Sequence, residues 1–305
     1  MANTAVPRLL SISDAPRIAS YSLQEPSRPD IEIGQAEHRI DLVNRWGIPL
    51  GSRVLEIGCG QGNATAVLAE AVGDGGSVDA VDPAPPDYGA PFTLAQAQAH
   101  LSASPVGKRI NWHEAAPETF IRQSSGKTWD VAVLAHCIWY FASPQVLVDI
   151  LKSLRNRVQR VCIAEYALQA TERAAEPHVL AALATGMLES HKVESSVNIR
   201  SPLEPAAIVE AARAAGWAQQ EPLAMVTGEK EKGKEIVVPR AGLLDGCWEA
   251  GTVAGDDFAN EIEDHITDDR VKVVLRSARN ATIAAVRGLQ GEQVRTMDVW
   301  VAAFA

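Results

Sequence analysis

Three glycines and two carboxylates are the residues whose types and spacing best fit ligand chemistry. The stretch "VLEIGCGQGNAT" (54–65) places Gly58, Gly60 and Gly62 within five residues, directly after an apolar run that contains Glu56. Glycine permits a positive backbone φ and, lacking Cβ, lets a ligand touch the main chain. Asp82 ends the next apolar run, where a carboxylate accepts hydrogen bonds from both hydroxyls of a ribose. The pattern predicts a nucleoside site.

The glycine spacing bears on which nucleoside is bound. Dinucleotide sites need G-x-G-x-x-G/A, in which the last small residue allows close helix packing, but Asn63 occupies that position here. The acid Glu56 beside the turn suits a cationic ligand better than a pyrophosphate. We expect Asn63 to cap the helix that follows. Taken alone, a G-x-G-x-G segment fits an ordinary tight turn equally well.

The glycine turn belongs to an alternation of short apolar runs and helical stretches. Such alternation predicts an α/β fold of the Rossmann-like, doubly wound type, with a mostly parallel sheet covered on both faces. "MDVWVAAFA" at 297–305 is a strand pattern that must join this sheet, so we expect one folded unit. Its predicted parts are an N-terminal arm and cap helix (1–50, loose over 1–30), a core (51–168), a helical lid segment (169–200) and a completing part (201–305) with a helical insertion at about 228–293.

Composition excludes several classes of function. The 305 residues carry a net charge of −10, which argues against a nucleic-acid partner. The N-terminus does not resemble a secretory signal and no apolar run is long enough to cross a bilayer, so no membrane partner is expected. The 4 cysteines form no CxxC pair, which indicates buried thiols in a reducing compartment. We expect a cytoplasmic protein and leave its oligomeric state open.

Several segments together resemble one known family. "VLEIGCGQG" followed by "VDAVDP" resembles motif I and its successor in class I S-adenosylmethionine (SAM)-dependent methyltransferases. "WDVAVLAHCIWYF" is similar to their fourth strand, and "AAGWAQQEPL" to their late helix-to-strand passage. The resemblance covers roughly residues 35–225 and the C-terminal strand. It implies a seven-stranded sheet whose last strand runs antiparallel beside the sixth, and "MDVWVAAFA" would be that last strand. The pattern of "PLAMV" (222–226) also predicts a strand.

The resemblance also implies how SAM is held. The turn from Gly58 to Gly62 would pack against its methionine part, Glu56 would fix the amino-acid end, and Asp82 would hold the ribose. The family often carries an acid after the third strand, whereas this chain has alanine there, so either backbone groups read the adenine or the register differs. An N-terminal tyrosine would fold over the cofactor. The expected cofactor residues are Tyr21, Glu56, Gly58, Cys59, Gly60, Gly62, Asp82, Pro83, Ala115, Ala116 and Ala135.

Few residues are expected to carry out the chemistry. His136, at the carboxyl end of the fourth strand, is the predicted general base, although a structural role fits it equally. Trp139, Tyr140 and Tyr166 are expected to line the acceptor pocket, or else to be core residues. "AHCIWYFASP" lacks the acids of a metal-assisted transfer, so no metal is expected.

The predicted function is methyl transfer from SAM to a small organic acceptor. Oxygen is the first choice of methylated atom and nitrogen the second. A SAM-binding regulatory protein without turnover is the alternative, and Asn63 disfavours a nicotinamide-dependent oxidoreductase.

Overall fold

The computed structural model describes residues 7–24, 27–193, 195, 197, 199–220, 236–238 and 245–305, without the side chains of 236–238 and 245–247. The N-terminal segment forms helices α1 (Ala15–Ala19) and α2 (Pro29–Trp46). The prediction of a loose arm over 1–30 is wrong for α1, because Ile18 and Tyr21 are buried with the main core. Apolar side chains too widely spaced to show a period still anchor this segment.

A twisted sheet forms the centre of the molecule. Strands β1 to β5 run parallel and β7 pairs antiparallel with β5, which confirms the predicted mostly parallel sheet with an antiparallel C-terminal strand. The three residues of β6 pair with β7, and "PLAMV" lies outside the described residues. The order is β3-β2-β1-β4-β5-β7-β6. The strands are β1 (Arg53–Ile57), β2 (Ser77–Asp82), β3 (Ile110–Glu114), β4 (Trp129–Ala135), β5 (Val158–Tyr166), β6 (Ile236–Val238) and β7 (Val299–Phe304).

The strand order fixes where a ligand can bind. From β1 the chain winds outward to β2 and β3, and then returns to place β4 on the other side of β1. Crevices open at the carboxyl ends of strands where the order reverses in this way. The glycine turn after β1 and the segment after β4 therefore lie beside one crevice.

Helices cover both faces of the sheet. Apolar side chains on each face form a separate core, one including Val54 and Val133 and the other Leu55 and Leu134. This alternation along β1 and β4 follows from the two-residue period of a strand. The covering helices are α3 (Asn63–Val72), α4 (Leu94–Ser102), α5 (Pro117–Gln123), α6 (Pro144–Ser153) and α8 (Pro205–Ala214).

Four further helices form a lid over the carboxyl edge of the sheet. They are α7 (Glu176–Glu189), α9 (Asp245–Ala254), α10 (Asp256–His265) and α11 (Asp269–Gly288). The lid has a small core of its own around Leu188, Val253, Ile262 and Leu275. Residues of this lid and of the strand ends line one cavity. No helix among the described residues is both long and apolar enough to cross a membrane.

Candidate active site

The three glycines of the turn have different surroundings. All have positive φ: 73° at Gly58, 51° at Gly60 and 96° at Gly62. A Cβ on Gly58 would lie 2.4 Å from Cβ of Cys137, and one on Gly62 would lie 2.8 Å from Leu101. A Cβ on Gly60 would meet nothing within 4 Å. The outer glycines therefore allow close packing, and the middle one leaves bare main chain facing open space.

Asp82 is clamped beside this turn at the end of β2. Its Oδ2 accepts a hydrogen bond from the Gly60 amide at 2.8 Å, and its Oδ1 accepts one from the Ala84 amide at 2.9 Å. Carboxylate oxygens accept more than one hydrogen bond each, so both retain capacity for ligand hydroxyls. Asn63 does not cap α3 as predicted, because Gly62 is the N-cap and the Asn63 amide donates to Glu32 at 3.0 Å.

Glu56 lies buried beneath the turn. Its Oε2 accepts a hydrogen bond from the Thr65 hydroxyl at 2.6 Å. Burial, together with nearby Asp82 and against the lowering effects of Thr65 and Arg39, raises the pKa of Glu56 to about 8. A buried carboxyl of this kind ionises readily only when a cation arrives beside it. This site therefore fits a ligand whose cationic end reaches the turn, as the ammonium group of SAM would.

A cavity of about 820 Å³ runs from the turn, past the ends of β4 and β5, to the lid. This volume falls within the usual range for cofactor and substrate sites. Of the sequence-predicted residues, those that line it are Glu56, Gly58, Cys59, Gly60, Ala135, His136, Trp139, Tyr140 and Tyr166. The remaining predicted residues are not among its lining; these are Tyr21, Gly62, Asp82, Pro83, Ala115 and Ala116.

Two predicted cofactor residues have other partners in the structure. The Tyr21 hydroxyl donates to Glu70 at 2.8 Å and contacts Arg17, so it joins α1 to α3 and lies away from the cavity. The Ala115 amide donates to the main-chain oxygen of Asp82 at 3.0 Å, which extends the sheet. That amide is therefore already used and does not serve adenine recognition in this conformation.

His136 occupies a strained position at the end of β4. Its φ is 54°, a left-handed conformation that costs energy for a non-glycine residue and recurs at functional sites. Its amide donates to the Ala164 oxygen at 2.9 Å, which fixes the backbone. Its Nδ1 lies 3.7 Å from Glu165 Oε1, and its Nε2 lies 2.9 Å from Nε2 of His38.

The three predicted aromatic residues lie around this imidazole. Tyr166 stacks obliquely on His136, with ring centroids 4.7 Å apart, and on Trp139, with centroids 5.2 Å apart. Trp139 is buried and its indole N–H donates to the Leu203 oxygen at 3.0 Å. Tyr140 is half exposed. Trp139 and Tyr166 are thus core residues that also form a cavity wall.

The lid contributes charged residues that sequence reasoning missed. Glu189 lies 2.6 Å from Lys192 through Oε1, while its buried Oε2 has no hydrogen-bond partner. Glu249 lies 3.2 Å from His178, whose Nδ1 accepts a hydrogen bond from the Met297 amide. Glu249 on α9 is far along the chain from His178 and Glu189 on α7, so no local pattern joined them. The lid carboxylates that line the cavity are Glu189, Glu249, Asp257 and Glu261, and the basic side chain of Lys192 lies among them.

Helix α2 supplies a further wall. Glu32, Gln35 and Arg39 recur at helical spacing and line the cavity. Their helical spacing was the sequence signal for this wall. Within the described part of the chain, no cluster of three or more His, Cys, Asp or Glu residues is arranged to hold a metal ion.

The position of the glycine turn, at the switch point of a doubly wound sheet, fits the binding of SAM. A model of the methyltransferase domain family matches residues 33–197, and the chain belongs to this family. It is a SAM-dependent methyltransferase, and SAM is its cofactor.

Individual relatives agree with this assignment. The chain is 30% identical to Methyltransferase phomM′ and to Methyltransferase phomM of Diaporthe leptostromiformis, over 98% of this chain and 84% of each relative. It is similar in structure to a cyclopropane-fatty-acyl-phospholipid synthase-like protein from Lactobacillus casei ATCC 334, with a TM-score of 0.81 and 26% identity. That similarity covers 97% of this chain and 100% of the other.

Proposed function

We propose that the enzyme methylates a small organic acceptor bound in the lid half of the cavity, with SAM in the other half. The observation that carries this proposal is the continuity of the cavity from Gly60, past His136, to Glu189. A methyl donor at one end and an acceptor at the other would meet beside the imidazole. Transfer needs this approach to be in line, which a closed lid favours by restricting the acceptor's orientation.

At the cofactor end, three groups hold SAM. Main chain at Gly60 contacts the methionine part, Asp82 accepts hydrogen bonds from the ribose, and Glu56 pairs with the ammonium group. When bound, SAM supplies an electrophilic methyl group on its sulfonium. Pairing with the ammonium stabilises the ionised form of Glu56, whose pKa burial otherwise raises to about 8.

At the junction of the two halves, His136 accepts the proton that the acceptor loses. Glu165 stabilises the resulting imidazolium from 3.7 Å. This carboxylate is itself held in place, because its two oxygens accept the amides of Ile138 at 2.9 Å and Tyr166 at 3.0 Å. A proton acceptor placed this way contributes about 10²- to 10⁴-fold to the rate.

The acceptor atom we favour is the nitrogen of a basic amine. From the sequence, oxygen was the first choice of methylated atom, but no particular residue supported that choice. The lid half carries more carboxylates than bases, and Glu189 presents a buried oxygen without a hydrogen-bond partner. Buried carboxylates are costly unless they are paired, and a cationic amine pairs with them. His136 then removes the proton that makes such an amine unreactive.

Methyl-labelled SAM and paired acceptors test this proposal. Each pair would contain an amine and an alcohol with the same carbon skeleton, and product would be identified by mass. We expect label in the amines. Label in the alcohols alone would overturn nitrogen as the acceptor atom and leave the transferase intact. Binding of SAM without any labelled product across a broad panel would overturn the proposed use of the lid half.

A further inference from the structure

Arg39 is a charged residue of the cavity wall that the proposed reaction does not use. It lies on α2, and its Nη1 donates a hydrogen bond to the side-chain oxygen of Gln35, one turn earlier on the same helix. Its Nε is buried and has no hydrogen-bond partner. A buried polar nitrogen without a partner costs free energy, and the cost is larger when the group carries a charge. An anion that accepts hydrogen bonds from this guanidinium would reduce that cost.

The two basic side chains of the cavity wall differ in their partners. Among the described residues, Arg39 and Lys192 are the arginine and lysine side chains that line the cavity. The ammonium group of Lys192 contacts the carboxylates of Glu189 and Glu261. Arg39 has no carboxylate within ion-pairing distance in the part of the chain that the structure describes. Arg39 is therefore the cation that has capacity left for an anionic ligand.

Helix α2 places Arg39 at the cofactor end of the cavity. Two turns before Arg39 on the same face, Glu32 accepts a hydrogen bond from the side-chain amide of Asn63 at 3.0 Å, which joins α2 to the start of α3. Gly62, the last glycine of the turn, directly precedes Asn63. Burial raises the pKa of Glu56 and of Glu32, and the positive charge of Arg39 opposes that rise at both. The cation and the buried acid below the turn are thus close enough to interact.

We propose that Arg39 binds the carboxylate of the methionine part of SAM, next to Glu56, which pairs with the ammonium group. Both groups of SAM are attached to one carbon atom, so they need a cation and an acid side by side in the wall. A guanidinium suits this role, because its planar N–H groups can donate two parallel hydrogen bonds to a carboxylate. It follows that the enzyme selects a SAM that carries its carboxylate. Only the part played by Glu56 rests on the proposed function.

Calorimetric titration with SAM and with decarboxylated SAM tests this role without any acceptor. The parent should bind SAM roughly tenfold or more tightly than the decarboxylated form, because only SAM offers Arg39 a partner. In Arg39→Met, SAM should bind roughly ten- to hundredfold more weakly, which is the effect of losing hydrogen bonds to a charged group. Decarboxylated SAM should bind this variant within about threefold of the parent, since it has no carboxylate to lose. Its retained binding also shows that the variant is folded.

Two further variants separate recognition of the carboxylate from charge and packing. Arg39→Lys keeps the charge but lacks the planar fork, so it should recover part of the lost affinity for SAM. Arg45→Met removes another arginine of α2, which pairs with Asp41 and is not among the residues that line the cavity. This control should bind both ligands as the parent does.

The ratio of the two affinities decides the proposal. A parent that binds both ligands equally would overturn it, and so would an Arg39→Met variant that retains full affinity for SAM. The second result would follow if Arg39 instead bound a carboxylate of the acceptor. If the ratio changes as expected but no amine is methylated, the role of Arg39 stands and the proposed acceptor fails.

Discussion

The two halves of the cavity are built in opposite ways. The cofactor half comes from β1 and its glycine turn, and it offers main chain and the buried acid Glu56. Asp82, at the end of the neighbouring strand β2, is bonded to this turn through the Gly60 amide. The acceptor half comes from α7, α9 and α10, and it offers charged side chains such as Glu189 and Lys192. The first half is determined by strand order, whereas the second depends on how the lid packs. Cofactor binding should therefore be separable from acceptor binding by single substitutions.

The largest expected effect lies where the halves meet. His136→Ala should lower kcat by about a hundredfold or more, because the acceptor loses its proton acceptor. The dissociation constant for SAM should stay within about twofold, as measured by calorimetry. His100→Ala, an exposed histidine on α4, is the matched control. Full turnover in His136→Ala would show that the imidazole is structural.

A substitution confined to the cofactor half comes next. Asp82→Ala removes a charged acceptor of hydrogen bonds worth about 1.5–3 kcal/mol, so SAM should bind roughly ten- to hundredfold more weakly. Calorimetry measures this loss, and the exposed Asp87→Ala in the same loop should bind as the parent does. Unchanged affinity for SAM in Asp82→Ala would show that this acid does not bind the ribose.

The converse substitution belongs to the lid half. Glu189→Gln should raise KM for the amine acceptor by about tenfold through loss of a charge-assisted hydrogen bond. The SAM dissociation constant should not change. Glu263→Gln, on the outer face of α10 where Lys272 and Arg276 contact it, should leave both constants as they are. If Glu189→Gln weakens the binding of SAM instead, acceptor binding and cofactor binding are not separable.

A smaller, pH-dependent effect should arise at Glu56. Its pKa of about 8 means that this carboxyl is protonated in the free enzyme below that pH. A cationic ligand favours the ionised form, so SAM binding should release a proton and strengthen severalfold as the pH rises toward 8. Calorimetry in buffers of different ionisation enthalpy counts the proton. Glu56→Gln should abolish this proton release. If the variant releases as many protons as the parent, the proton comes from another group.

The same shift has a consequence for folding. The folded pKa of Glu56 lies above its ordinary value, so the contribution of this group to the free energy of unfolding is complete below that ordinary value. It is lost as the pH rises through about 8. Denaturant titration of the SAM-free protein should show this loss in the parent and a flatter profile in Glu56→Gln.

Sequence reasoning succeeded where a site is local in the chain. The turn from Gly58 to Gly62 and the acid Asp82 follow consecutive strands, so their proximity follows from the predicted parallel sheet alone. It failed where proximity depends on packing. His38 is one of several polar residues on α2, and nothing near it in the chain indicates a partner 98 residues away. Tyr21 was assigned to the cofactor, but packing of α1 joins it to Glu70.

Helix α5 was not predicted, and α9 was predicted only as part of the helical insertion at about 228–293. Helix α5 is 7 residues long, too short to show a full apolar stripe. Helix α9 contains Gly246 and Gly251, which lower helix propensity. Tertiary contacts stabilise it instead, through Ala250 and Val253 in the lid core. The sequence therefore did not give the bounds of the helix that supplies Glu249.

The central claim is that SAM rests on bare main chain at Gly60, and a pair of glycines tests it most directly. Gly60 and Gly126 both have positive φ, at 51° and 77°, and a Cβ at either would meet nothing within 4 Å. Alanine should therefore cost each a similar roughly 1–2 kcal/mol of backbone strain. In calorimetric titration, Gly60→Ala should bind SAM at least about tenfold more weakly, while Gly126→Ala binds it as the parent does. Equal affinities in the two variants would contradict the account.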